Sequence, residues 1–183
     1  MRSTGEVLGL AENFPLAFYK SQVGSGTAKA AGSELPHAPA AWENKKNLIS
    51  LSNKESQKDQ VLMIGKTLKD LGFTLVGTQG TADFYNSNGI KCEVVNKIGG
   101  GRPDVVDLIM NKEVCLVINT PKAKRNYAED RKTIRKVCLK YKVSYITTLA
   151  GAVAAVKGIE AVKNGNGGEG GVKSLQEYHA LIK

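Results

Sequence analysis

This 183-residue chain has little of what metal and nucleophilic chemistry usually need. Its three cysteines, Cys92, Cys115 and Cys138, lie far apart and form no C-x-x-C pair. Its two histidines are His37, in a proline-rich stretch, and His179, near the end. Such a set does not supply the four converging ligands of a structural zinc site, so no metal is expected. The thiols are expected to be reduced and to fill small apolar gaps. Neither histidine has a carboxylate or nucleophile close by in sequence, so no catalytic residue is assigned. No apolar run approaches the roughly 18 residues of a membrane span, so no membrane partner is expected. The opening "MRSTGEVLGL" lacks a charged leader with an apolar run and cleavage site, which points to the cytoplasm.

The composition that is present is that of an ordinary folded protein. Hydrophobic residues make up 42% and charged residues 23%, and the length suits one sizeable α/β domain with a tail or linker. The net charge of +9 comes largely from residues 120–142, "TPKAKRNYAEDRKTIRKVCLKYK". Its apolar residues fall on a helical stripe and no aromatics recur at regular spacing. A solvated helix face is the first reading of this run. A small phosphorylated ligand near its start comes second and nucleic acid third, so no nucleic-acid partner is expected.

Residues 10–20, "LAENFPLAFYK", read as an amphipathic helix, and residues 23–41 are rich in Gly, Ala, Ser and Pro, a composition that cannot bury a core. Residues 1–22 are therefore assigned to a preceding unit, 23–45 to a linker and 46–183 to the main domain. From there, short apolar runs alternate with helical patterns. "NLISLS", "FTLVGT", "KCEVVN", "VCLVIN" and "VSYIT" are expected strands. Between and after them, helices are expected over 55–72, 81–89, 102–112, about 126–142, 149–165 and 174–182. This alternation predicts an α/β fold: a doubly wound, five-stranded parallel sheet in a three-layer α/β/α sandwich.

In open α/β sheets ligands bind beyond the carboxyl ends of the strands. Those ends carry Ser52, Thr78, Lys97, Asn119 with Thr120, and Thr147 with Thr148. Gly80 and Thr81 follow Thr78 at a predicted helix start, where backbone N–H groups and the helix dipole favour an anion. Lys58, in the first turns of a helix, opposes that dipole by roughly 0.3–1 kcal/mol, a placement that makes sense with a phosphate in front of it. Each residue also has a plain structural reading. Ser and Thr are common caps, and "SNKE" at 52–55 fits a capping box.

Several stretches resemble a known family. "MRSTGEVLGL" and "SQVGSG" look like the end of the second ATP-grasp unit of the carbamoyl-phosphate synthase large chain. "LISLSNKESQKDQV", "GTQGT", "VVNKI…GRPDVVDLI", "LVINT", "AEDRKTIRKVCLKYKVSYITTLAGA" and "SLQEYHALIK" resemble its C-terminal regulatory, methylglyoxal-synthase-like domain. The resemblance implies that residues 1–22 end a synthetase unit and that 46–183 form an allosteric domain of an ATP-dependent, glutamine-hydrolysing ligase. It implies uridine monophosphate (UMP) and inosine monophosphate (IMP) as effectors, the first inhibiting and the second activating. It implies control of carbamoyl phosphate synthesis for pyrimidine and arginine pathways. The implied partners are the rest of the large chain and a glutaminase small chain; no cofactor belongs to this fragment. Carried over residue by residue, Ser52, Lys58, Thr78, Thr81, Lys97 and Asn119 are expected to contact the effector phosphate, joined by Gly80 and Thr120 from the reading of the strand ends. Asp130, with Lys124 or Arg125 in the place of an expected arginine, is expected to face its base or ribose; Tyr145 and Thr147, with Thr148 beside them, are expected at an ornithine junction. Pro121 departs from the pattern, where a hydroxyl is expected.

The alternative is an enzyme on the same fold, a methylglyoxal-synthase-type phosphate lyase, which needs a carboxylate base and an acid aimed at the substrate. The family's Gly-Gly-Asp stretch with a downstream His is not reproduced in "GGGRPDVVDL". Asp104 and Asp107, at a helix start, are expected to be structural.

Overall fold

The computed structural model describes residues 7–24, 45–51, 56–120, 128–164 and 173–181. The strands are β1 (Lys46–Ser50), β2 (Thr74–Thr78), β3 (Cys92–Val95), β4 (Val114–Asn119) and β5 (Ser144–Ile146). The helices are α1 (Phe14–Gly24), α2 (Lys58–Asp70), α3 (Gln79–Ser87), α4 (Val105–Met110), α5 (Ala128–Tyr141), α6 (Leu149–Lys163) and α7 (Leu175–Ala180). All five strands run parallel in the order β3-β2-β1-β4-β5.

Right-handed crossovers dictate where the helices go. The chain steps outward from β1 to β3, which puts α2 and α3 on one face; it then returns past β1 to β4 and β5, which puts α4 and α5 on the other. The central strands β1, β2 and β4 are buried on both sides, so their adjacent residues are core residues of different layers. Ile49, Leu75, Leu116 and Ile118 pack with residues of α2, α3 and α6. Leu48, Val76 and Val117 pack with residues of α4 and α5. The α2–α3 contact is close enough to require glycine: a Cβ on Gly65 would stand 2.3 Å from Cε1 of Tyr85. The Tyr85 hydroxyl donates to the Val61 carbonyl at 3.0 Å, so the buried phenol is satisfied.

Four helix-to-strand turns repeat one design. Gly72, Gly89, Lys112 and Lys142 have φ of 85°, 76°, 58° and 56°. The N–H after each donates five residues back: Phe73 to Leu68, Ile90 to Tyr85, Glu113 to Leu108 and Val143 to Cys138, at 2.8–3.1 Å. The N–H of each positive-φ residue donates three back, at 2.9–3.3 Å. Together these are the paired bonds of a Schellman ending.

Three expectations need correction. The first helix runs over Phe14–Gly24, not 10–20, and its apolar residues do not form one stripe. Asn13 caps it by accepting from the Leu16 N–H at 3.1 Å. This segment, assigned above to a preceding unit, packs on α6 and lends Tyr19 to the main core. A Cβ on Gly158 of α6 would lie 2.7 Å from the Pro15 carbonyl oxygen, so the two backbones touch. The second helix begins at Lys58 behind Gln57, with no side-chain cap, so the capping box expected at 52–55 does not start it; residues 52–55 lie outside the described residues. The third helix begins at Gln79, so Gly80 is inside its first turn and not in a turn before it. The expected linker, from residue 25 to 44, also lies outside the described residues.

Candidate anion site at the carboxyl rim

The strand order reverses beside β1, and the crevice this creates opens between the carboxyl ends of β1 and β4. The rim there is tied together by bonds between different loops. The Thr120 N–H donates to the Ser50 carbonyl at 3.0 Å, closing the top of the β1–β4 pair. The Leu51 N–H donates to Thr81 Oγ1 at 3.4 Å, joining the exit of β1 to the first turn of α3. The Asn119 Nδ2 donates to the Tyr145 hydroxyl at 3.3 Å, joining β4 to β5.

Each residue expected at the site can now be placed. Thr78 is the N-cap of α3 in extended conformation, half-buried, and its side chain makes no capping bond. Gly80 is exposed in the first turn of α3. Thr81 is only 2% exposed, so its hydroxyl serves the fold as well as the rim. Lys58 is the exposed first residue of α2, and among the described residues no carboxylate pairs with it. Lys97 follows β3 and is exposed. Asn119 is 7% exposed and Thr120 is half-buried. Asp130 lies half-buried in the first turn of α5. Thr147 and Thr148 are exposed after β5, and Thr148 Oγ1 caps α6 by accepting from the Gly151 N–H at 3.1 Å. Ser52, Lys124 and Arg125 lie outside the described residues.

The topology thus brings Thr78, Thr81, Lys97, Asn119, Thr120, Tyr145, Thr147 and the start of α2 to one end of the sheet. An open groove of about 450 Å³ lies at the other end, lined by Leu62, Met63, Lys66, Lys69 and the Asn88–Ile90 turn. No carboxyl strand end reaches it. Among the described residues no group of three or more His, Cys, Asp or Glu could hold a metal ion, and no helix is long and apolar enough to cross a membrane.

A protein-family model described as an MGS-like domain matches residues 60–147. Residues 60–147 belong to the MGS-like domain family. The chain is also similar to curated relatives over nearly its whole length. It is 43% identical to the carbamoyl phosphate synthase large chain of Archaeoglobus fulgidus over 179 residues, 98% of this chain and 15% of the relative. It is 42% identical to the carbamoyl phosphate synthase large chain, C-terminal section, of Methanopyrus kandleri over 163 residues, 89% of this chain and 28% of the relative. It is 39% identical to the carbamoyl phosphate synthase large chain of Ralstonia nicotianae over 182 residues, 100% of this chain and 15% of the relative. The chain therefore spans between 15% and 28% of these relatives. These matches show the expected kinship with the MGS-like, C-terminal part of carbamoyl phosphate synthase large chains.

One expectation is met in detail, and one feature of the rim escapes sequence reasoning alone. Asp104 is the N-cap of α4, accepting from the Val106 and Asp107 N–H groups at 2.8 and 3.1 Å. Asp107 accepts from the Asp104 N–H at 2.9 Å and from Arg102. The structural role expected for both aspartates is observed, with the detail that they form one reciprocal capping box. The feature that escapes it is the Asn119–Tyr145 pair. Val117 is the register partner of Tyr145, and Asn119 shares its face two residues on. Strand periodicity held the signal, but only once β4 and β5 were known to be neighbours.

Proposed function

We propose that this domain binds the phosphate of a nucleoside monophosphate at the carboxyl rim, and that binding regulates carbamoyl phosphate synthesis by the large chain to which it belongs. The supporting observation is that hydroxyl, amide and ammonium groups from several loops stand at the same, carboxyl end of the sheet, the end that carries the topological switch point and the N-terminus of α3. The positive end of α3 and the Thr78 hydroxyl receive the phosphate, as helix N-termini do for anions generally. Lys58 and Lys97 supply positive charge, and Asn119, Thr120 and Ser52 complete the shell. Asp130, Lys124 and Arg125 face the ribose or base.

The effectors in this reading are UMP, inhibiting, and IMP, activating, with ornithine acting near Tyr145, Thr147 and Thr148. The effect on synthesis is linkage: a ligand favouring one state of the large chain changes its affinities by a coupling of typically about 1–3 kcal/mol. The fragment is not itself catalytic. Its partners are the remainder of the large chain and the glutaminase small chain, acting in the cytoplasm for pyrimidine and arginine synthesis. The engagement of Asp104 and Asp107 in a helix cap speaks against the phosphate-lyase reading, because neither is left to serve as a base.

Calorimetric titration of the chain with UMP and IMP tests the proposal. Binding of at least one, weakened about tenfold or more by Thr78→Val or Lys58→Ala, is the expected result. The reading fails if neither nucleotide binds at millimolar concentration. Incubation with dihydroxyacetone phosphate tests the lyase alternative, and enzymatic release of inorganic phosphate would establish it instead.

A further inference from the structure

We propose that Tyr145 is a positioning residue of the rim, whose hydroxyl oxygen takes an amide N–H of Asn119 and so fixes the side chain that meets the ligand. This inference rests on reading the rim as a nucleotide-phosphate site, and it adds a second role to a residue otherwise placed only at a junction.

The local geometry sets up the need. Asn119 is the last residue of β4, beside the switch-point crevice, and is 7% exposed. The terminal torsion of an asparagine is broad, so an amide with no partner samples several orientations. Here Nδ2 is held at 3.3 Å by the Tyr145 hydroxyl. Among the described residues the one sealed side-chain polar atom without a partner is Asn47 Nδ2. The Asn119 carbonyl oxygen, which has no partner among those residues, therefore keeps contact with solvent at the rim. The second amide hydrogen remains available as well, so the held amide offers both an acceptor and a donor in one orientation.

Tyr145 is built to hold still. Its ring packs against the core layer that contains Val117, Cys138 and Val143, on the face covered by α5. Cys138, Arg131 and Arg135 of α5 face it. Burial raises its phenol above the ordinary value, opposed by the Asn119 hydrogen bond and the two arginines, so the hydroxyl stays protonated at neutral pH. While its oxygen accepts from Asn119, its own proton remains available to a ligand oxygen or water. Fixing a contact group before the ligand arrives removes the ordering cost from binding, so the pair acts on affinity rather than on the fold.

The test is a double-mutant cycle read by calorimetry with UMP and IMP. Tyr145→Phe keeps the ring and removes only the hydroxyl, and is expected to weaken binding about fivefold to tenfold, the scale of one net hydrogen bond. Asn119→Ala is expected to weaken it further. In the Asn119→Ala background Tyr145→Phe should add less than a twofold change, because its route to the ligand is gone. In the unaltered chain, the side-chain amide ¹⁵N signals of Asn119 should shift on nucleotide addition and move toward free-amide positions in Tyr145→Phe. Equal loss from Tyr145→Phe in both backgrounds, or no loss at all, overturns the inference while leaving the rim as a binding site. Absence of nucleotide binding by the unaltered chain overturns the reading of the rim, and this inference with it.

Discussion

The two ends of the sheet are built on opposite plans. At the amino end, each described helix-to-strand turn closes on itself: φ is positive at Gly72, Gly89, Lys112 and Lys142, and the paired backbone bonds leave few helix carbonyls unpaired. Lys46 adds ion pairs to Glu113 at 2.9 Å and Glu93 at 3.9 Å. Lys163 adds a bond to the Leu71 carbonyl at 2.8 Å. At the carboxyl end, helix N-termini point outward, and hydroxyls and amides gather around loops of uneven length. One end spends its polar groups on itself, whereas the other carries the groups proposed above to meet a phosphate. On the proposed reading, stability and binding are therefore separable at many positions of this fold.

The strongest challenge to that separation comes from the core between the two ends. Gly65→Ala should destabilise by about 1–3 kcal/mol in urea unfolding, because the added Cβ meets the buried Tyr85 ring at 2.3 Å. Thr81→Val should be the revealing intermediate case. It leaves the buried Leu51 N–H without its acceptor, costing about 1–3 kcal/mol, and should also weaken nucleotide binding. Thr78→Val should instead leave stability within about 0.5 kcal/mol and act on affinity alone, since its hydroxyl makes no capping bond. A matching loss of stability in Thr78→Val would erase the distinction between the two threonines.

Smaller effects probe the closed end. Lys112→Gly and Lys142→Gly should each stabilise by about 0.5–1 kcal/mol, because a side chain resists positive φ and glycine does not, with nucleotide affinity unchanged. The smallest effect is chemical. Burial pushes the Cys92 and Cys138 thiols up to about 12 from an ordinary 9.0. Folded protein therefore holds protons that the unfolded chain releases, so this contribution to stability is full below pH 9.0 and fades as pH rises toward 12. Alkylation at pH 8 should be slow in native protein and fast in urea. Rapid native labelling of either cysteine would show that the layer around it opens.

Much of the scaffold was legible because its strands are short apolar runs between strong breaks. "VCLVIN" matches β4 residue for residue, since a strand buried on both faces reads as a continuous apolar run, broken here only at its last residue, Asn119. Helix starts were less legible. Asn13 and Pro15 together mark the start of α1, yet the apolar residues from Leu10 onward drew the expected helix upstream. The packing of α1 on α6 was hidden altogether, because it depends on Gly158, which reads in sequence as one small residue among many. At the rim, the residue types at the strand ends were legible from topology. The bond between Asn119 and Tyr145 was not, since it joins positions 26 apart through a strand pairing that no local pattern encodes.

The four closed turns have a consequence for how such a domain can change over time. Lengthening any of them by one residue would break a five-back bond and threaten the register of the strand that follows, turning inward residues outward. Lengthening a loop beyond a strand's far end disturbs no such bond. Changes of length are therefore easier to absorb at the carboxyl rim than at the closed end, so a new loop there can arise on an intact frame.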